Sequence, residues 1–111
     1  MKTKNNNNHQ EDEEYFNIIR KISKNSELSQ REISNELGMS LGKVNYCLKA
    51  LKEKGLIKIK NFKKSEDKMR YLYVLTPKGI TEKYKITVRF MNRKMKEYDE
   101  LKKEIKNSKK F

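Results

Sequence analysis

Ser40, Gly42, Lys43, Asn45, Tyr46 and Lys49 stand close together in one short stretch of this chain. Asn and Lys side chains hydrogen-bond base edges, and Lys also meets phosphate. A serine followed by the first amides of a helix suits a phosphate, because those amides are the positive end of the helix. Gly42 has no side chain to hold a helix back from a groove. An exposed Tyr46 could stack or touch a thymine methyl, and a packed one would do neither. A second basic set is Lys63, Lys64, Lys68 and Arg70, fitted to phosphate or a minor groove. Glu66 and Asp67 between them argue against deep insertion there. Arg31 lies upstream, placed to clamp a phosphate. The same residues on a solvated helix face or hairpin loop would need no ligand.

Bond-making chemistry has no such constellation. The sequence contains no Ser/His/Asp set, no P-loop and no Gly-rich phosphate loop. His9 and Cys47 are the single histidine and the single cysteine, too few for a zinc site and unable to form an internal disulfide. No catalytic residue, metal or cofactor is expected. Cys47 is expected at the edge of the core rather than as a redox sensor, since no cationic partner for a thiolate is evident.

Charge points the same way as the motif. The 111 residues include 28 Lys and Arg against 15 Asp and Glu, a formal net charge of +13. An AT-rich genome would raise the Lys count but would not make it uneven. Residues 41–70 and 83–111 each carry a net +7, while residues 26–40 carry −2. Two basic blocks imply a polyanionic partner, nucleic acid before an acidic membrane surface. The chain has no N-terminal apolar run and no stretch suited to a membrane span, so a cytoplasmic setting is expected. Hydrophobic residues are 34% of the chain, which limits the core to a small one.

These groups need elements to position them. Residues 1–10 carry four consecutive asparagines and no apolar anchor, and are expected to be a disordered tail. A helix should start at Glu11, with Glu11, Asp12, Glu13 and Glu14 in its first turn and an apolar stripe through Phe16, Ile18, Ile19 and Ile22. Ser29-Gln30-Arg31-Glu32 fits a capping box, with Leu28 and Ile33 as a hydrophobic staple. Gly38 should stop this second helix. Ser40 should cap a third, buried along Val44, Leu48 and Leu51 and ended by Gly55. Ile57, Ile59 and Asn61 alternate with Lys58, Lys60 and Phe62, the period of a strand. Residues 63–70 read as a charged loop and Tyr71–Leu75 as the returning strand. Thr76-Pro77 opens a last helix reaching about residue 107.

Two helices joined by a glycine turn, then a hairpin, make a winged helix-turn-helix. The expected fold class is therefore mainly α with a small β-hairpin, over residues 11–76. A long C-terminal helix follows at 77–107, then a tail at 108–111. A helix of about 45 Å, at 1.5 Å per residue, cannot bury itself wholly on so small a domain. Its heptad positions are Thr81, Val88, Met95 and Lys102 at a, with Tyr84, Met91, Tyr98 and Ile105 at d. Ile80, Ile86, Phe90 and Leu101 widen the stripe. Dimerisation through Tyr84, Val88, Met91, Met95, Tyr98 and Ile105 is the economical solution, and folding back on the core is the alternative.

The segments LSQREI, KVNYCLKALKEKGLIK and YVLTPKGI resemble the winged helix-turn-helix of MarR-type regulators. SLGKVNYCLKALKEKGLIK with YLYVLTPKGI is most similar to the small MarR-like regulators associated with exopolysaccharide gene clusters. The resemblance covers about residues 14–105. It implies a dimer binding double-stranded DNA at a palindromic site, regulating polysaccharide-related genes, with no catalytic step. Full MarR proteins carry additional helices and often a ligand pocket, so a small-molecule effector is not expected in this shorter chain. The competing reading is a winged-helix module that meets an acidic protein or RNA.

Overall fold

The computed structural model describes residues 2–66 and 68–108, with side chains over these except at 2–9, 64, 65, 68 and 69. Four helices and one hairpin follow in the order α1 (Lys2–Lys24), α2 (Gln30–Leu37), α3 (Leu41–Glu53), β1 (Ile57–Ser65), β2 (Lys68–Leu75) and α4 (Pro77–Ser108).

The capping chemistry is present where the sequence places it. Ser29 Oγ accepts from the Glu32 amide at 3.0 Å, and Glu32 accepts in return from the Ser29 amide at 3.2 Å. Gly38 ends α2 at φ 66°, a left-handed conformation that costs an L side chain about 1–2 kcal/mol. The Ser34 hydroxyl donates to the Met39 carbonyl and closes the turn between α2 and α3. Ser40 Oγ accepts from the Lys43 amide at 3.1 Å and starts α3. Thr76 Oγ1 accepts from the Gly79 amide at 3.0 Å and starts α4.

Three elements run further than the sequence suggests. Helix α1 begins at Lys2, within the segment expected to lack regular structure. No Gly or Pro interrupts residues 2–24, and each added helical residue gains a hydrogen bond once a helix is nucleated. The acidic run at 11–14 is consequently in mid-helix rather than in a first turn. The hairpin strands extend to Ser65 and from Lys68, through most of the expected loop, with Phe62 opposite Arg70 and Lys63 opposite Met69. That stretch also lacks Gly and Pro, and its lysines suit an exposed ribbon edge. Helix α4 ends at Ser108, whose hydroxyl donates to the Glu104 carbonyl at 2.9 Å.

The core joins the apolar stripes of α1, α2 and α3 to the base of the hairpin. Ile18, Ile19, Ile33, Val44 and Leu48 are fully enclosed, and Tyr73 is 2% exposed. The inner face of the hairpin pairs Ile57 with Leu75, Ile59 with Tyr73 and Asn61 with Tyr71. Burial fades along this face as the ribbon leaves the domain, so Tyr71 is exposed while Tyr73 is enclosed.

Helix α4 meets the domain at two closely fitted points. Phe90 lies 5.1 Å from Phe16, ring centre to ring centre. Gly79 packs on the backbone of Leu56, where a Cβ would overlap the Leu56 carbonyl oxygen and lie 2.9 Å from its carbon. The same oxygen accepts from the Thr76 amide at 3.0 Å, so it is not free to move aside. Gly79→Ala is therefore expected to cost about 1–3 kcal/mol, as overpacking does, read as a lower midpoint in urea unfolding. An unchanged midpoint would mean that the start of α4 shifts freely.

Candidate nucleic-acid interface

Helix α3 turns Val44, Cys47, Leu48 and Leu51 into the core. At about 100° per residue, the direction opposite those four is occupied by Gly42, Tyr46 and Lys49. Tyr46 is 56% exposed and Lys49 is exposed. Gly42 has open space beyond its backbone. These three form the centre of the exposed face and can enter a groove without rearrangement.

Lys43 and Asn45 flank that face rather than share it, and both are half-buried. The Lys43 ammonium sits 3.3 Å from Glu14 of α1 and 5.6 Å from the Tyr46 ring centre. Its pKa is raised above the usual lysine value, first by the hydrogen bond with Glu14 and then by that carboxylate's charge. On the other side, Asn45 Nδ2 donates to Gln30 Oε1 at 3.1 Å. Gln30 Nε2 donates in turn to the Tyr73 hydroxyl at 3.3 Å.

Beside Asn45 a groove runs between the start of α2 and the hairpin. Gln30, Arg31, Leu41, Arg70, Tyr71 and Tyr73 line it, together with Glu27 and Ser29. Arg31 is exposed at its rim. Arg70 lies beside the domain, not at the hairpin tip, with its guanidinium 3.9 Å from Glu32. Lys63 is exposed on β1. The side chains of Lys64 and Lys68 are outside the described residues. Ser40 uses its oxygen to cap α3 and retains its O–H to donate.

Gln30, Leu41 and Tyr71 are members of this surface that sequence reasoning missed. Gln30 stands inside the capping box, where its type is irrelevant to the cap. Leu41 is 43% exposed and Tyr71 56% exposed, against the usual expectation for large apolar residues. Their signal was only that neither belongs to an apolar stripe.

Cys47 is buried, and burial first of all pushes its thiol up to about 11. It is a neutral core side chain at neutral pH. Among the described residues no group of three or more His, Cys, Asp or Glu could hold a metal ion. No described helix is long and apolar enough to cross a membrane.

Residues 16–58 match the winged helix-turn-helix DNA-binding family. The chain has a winged helix-turn-helix fold. Its hairpin is the wing, and α3 is the helix in the recognition position. A MarR/EmrR family transcriptional regulator from Acinetobacter sp. ADP1 is 32% identical, with a TM-score of 0.57 over 76% of this chain and 57% of that one. Staphylococcus aureus MarR, solved in complex with salicylate and kanamycin, is 27% identical, with a TM-score of 0.53 over 76% of this chain and 54% of that one. A MarR protein from Peptoclostridium difficile is 22% identical and shares the fold, with a TM-score of 0.57 over 73% of this chain and 51% of that one. The chain thus spans between half and three fifths of these structures' length. No curated protein sequence matches it significantly.

Two finer expectations gain no support from this likeness. The exopolysaccharide-associated subgroup finds no support in these relatives, which are MarR-family regulators in the broader sense. The absence of an effector finds none either, since a structure similar to this winged helix-turn-helix holds salicylate and kanamycin.

The Glu14–Lys43 pair gives a second expected result. Glu14→Gln removes the carboxylate held against Lys43, and so frees that ammonium for a phosphate if this face binds DNA. The variant should bind every duplex more tightly, with a salt slope steeper by about one unit for one additional phosphate contact. An unchanged slope in a titration of binding against salt would show that Lys43 stays off the DNA.

Proposed function

We propose that the protein is a MarR-type transcriptional regulator that binds double-stranded DNA as a homodimer. The exposed Gly42–Tyr46–Lys49 face of α3 carries this reading, because no other part of the described chain covers it. Arg31 at the start of α2 and Arg70 of the wing line one groove beside its Asn45 edge, placed to meet the DNA backbone.

The dimer seam is the second element. Met91, Met95, Tyr98 and Ile105 are each more than half exposed, as is Tyr84, on a helix of 32 residues. Val88 is half-buried within the same stripe. Every residue from Lys94 to Ser108 is exposed, so this length of helix is left uncovered by the described residues. Two copies joined along it present two α3 helices about a two-fold axis. The DNA site is then an inverted repeat with half-sites about one helical turn apart. Polysaccharide-related target genes are the narrowest part of the reading, and rest on the resemblance of residues 40–58 and 71–80 alone.

Selection from a random duplex pool at physiological salt tests the function, and a two-fold motif is expected. No enriched motif would remove it. Two substitutions then separate reading from holding. Asn45→Ala should cost about 1–3 kcal/mol on the selected site and little on random DNA. Lys63→Ala should weaken both alike and lower the salt slope by about one unit. Equal losses from Asn45→Ala on both kinds of DNA would make Asn45 a holding residue.

A further inference from the structure

We propose that Gln30 is a positioning residue, which fixes the Asn45 amide for base reading and couples it to the wing. The inference rests on the DNA-reading function above and adds a residue that need not touch a base itself. Gln30 is the first residue of α2, Asn45 lies in the first half of α3, and Tyr73 is in β2. One chain of hydrogen bonds crosses all three elements, Asn45 Nδ2 to Gln30 Oε1 at 3.1 Å and Gln30 Nε2 to the Tyr73 hydroxyl at 3.3 Å.

An asparagine amide can turn over, exchanging its donor and acceptor. Adenine is read by one donor and one acceptor together, so a turned amide presents the wrong pattern. The Gln30 carbonyl accepts only from the NH2 end of Asn45, which leaves Asn45 with its oxygen and one N–H to offer. Gln30 is held in turn by Tyr73, whose hydroxyl accepts from the Gln30 NH2 end in this arrangement. Tyr73 anchors the far end. It is 2% exposed, and its amide donates to the Ser26 carbonyl at 3.0 Å. The hydrogen-bonded chain thus runs from the enclosed Tyr73 out to the rim of the groove shared by Gln30, Arg31 and Tyr71, beside the face offered to DNA.

Full-length Gln30→Leu, Gln30→Glu and Tyr73→Phe are compared with the unchanged protein and Asn45→Ala by selection from a random duplex pool. Leucine removes both hydrogen bonds. Glutamate keeps an acceptor for Asn45 and a second one for the Tyr73 hydroxyl, which then donates. Gln30→Leu should lose roughly tenfold in preference at one base pair of each half-site, the discrimination of a single side-chain pair. Affinity for random duplex should hold. Gln30→Glu should recover most of the preference, and Tyr73→Phe should lose part of it at the same base pair. Adding Gln30→Leu to Asn45→Ala should cause no further loss there, since the two act as a unit. A Gln30→Leu profile equal to the unchanged protein's, or losses that add, would overturn the proposal while DNA reading stands. Should Gln30→Leu fail to fold, an unchanged Tyr73→Phe profile would overturn it equally. If the unchanged protein enriches no motif, the DNA-reading function falls and this inference falls with it.

Discussion

Replacing Met91 and Met95 together by glutamate is expected to leave a folded monomer. Both side chains are exposed in a single chain, at 52% and 57%, so the domain loses no packing of its own. In the proposed dimer each change occurs twice. Burying a Met side chain stabilises by about 1.5–3 kcal/mol, and placing unpaired carboxylates in the seam costs more than that gain. Sedimentation should show the monomer at concentrations where the unchanged protein is a dimer. Binding to a full inverted repeat should fall by about 10²–10⁴, the factor contributed by linking two half-site contacts. Binding to an isolated half-site should be unchanged. A double variant that still sediments as a dimer would place the seam elsewhere and remove the basis for an inverted-repeat site.

The sequence announced the local elements well because their signals are local. Ser29 with Glu32, Ser40, and Thr76 with Pro77 are caps whose chemistry lies within four residues. Gly38 is needed for its left-handed φ, a property of one backbone position. What the sequence hid was the partner of each polar group. Nothing near Glu14 reveals that it meets Lys43, nor near Gln30 that it joins Asn45 to Tyr73. Those pairs are 29, 15 and 43 residues apart, and depend on how the helices cross. The place of the acidic run at 11–14 is hidden for the same reason. The sequence suggests a helix start at Glu11, whereas Asp12 lies in mid-helix and reaches Arg89 and Arg93 of α4 at 3.7 and 3.8 Å.

The apolar residues of α4 show a related error. In the sequence Ile86 and Phe90 widen the heptad stripe, because such a pattern tolerates a wide face. The structure divides them. Met91 is five residues beyond Ile86, about 140° round the helix at 100° per residue. Ile86 and Phe90 turn inward to α1 and the core, while Met91 and Met95 turn outward. The helix therefore has two apolar faces, one gripping its own domain and one left exposed, which the proposed dimer would cover.

Ile86→Ala tests the inward face, and its signature should differ from that of the seam. Ile86 is 6% exposed, and with Gly79 it is one of two buried residues given by α4. Truncating a buried isoleucine costs about 2–5 kcal/mol, and a site at the edge of a core falls toward the lower end. For a domain of this size, about 2 kcal/mol lowers Tm by roughly 8–16 °C. The drop should be similar at every protein concentration, because the lost contacts lie within one chain. The seam variant should instead abolish the rise of Tm with concentration that a dimer shows. Function should separate as well. With Ile86 truncated the dimer persists, but its DNA-binding domains are held less firmly to α4. Affinity for the full site should drop, and tolerance of altered half-site spacing should widen. A variant with normal Tm and unchanged spacing tolerance would mean that α4 is held to the domain by Phe90 and the Asp12 ion pairs without Ile86.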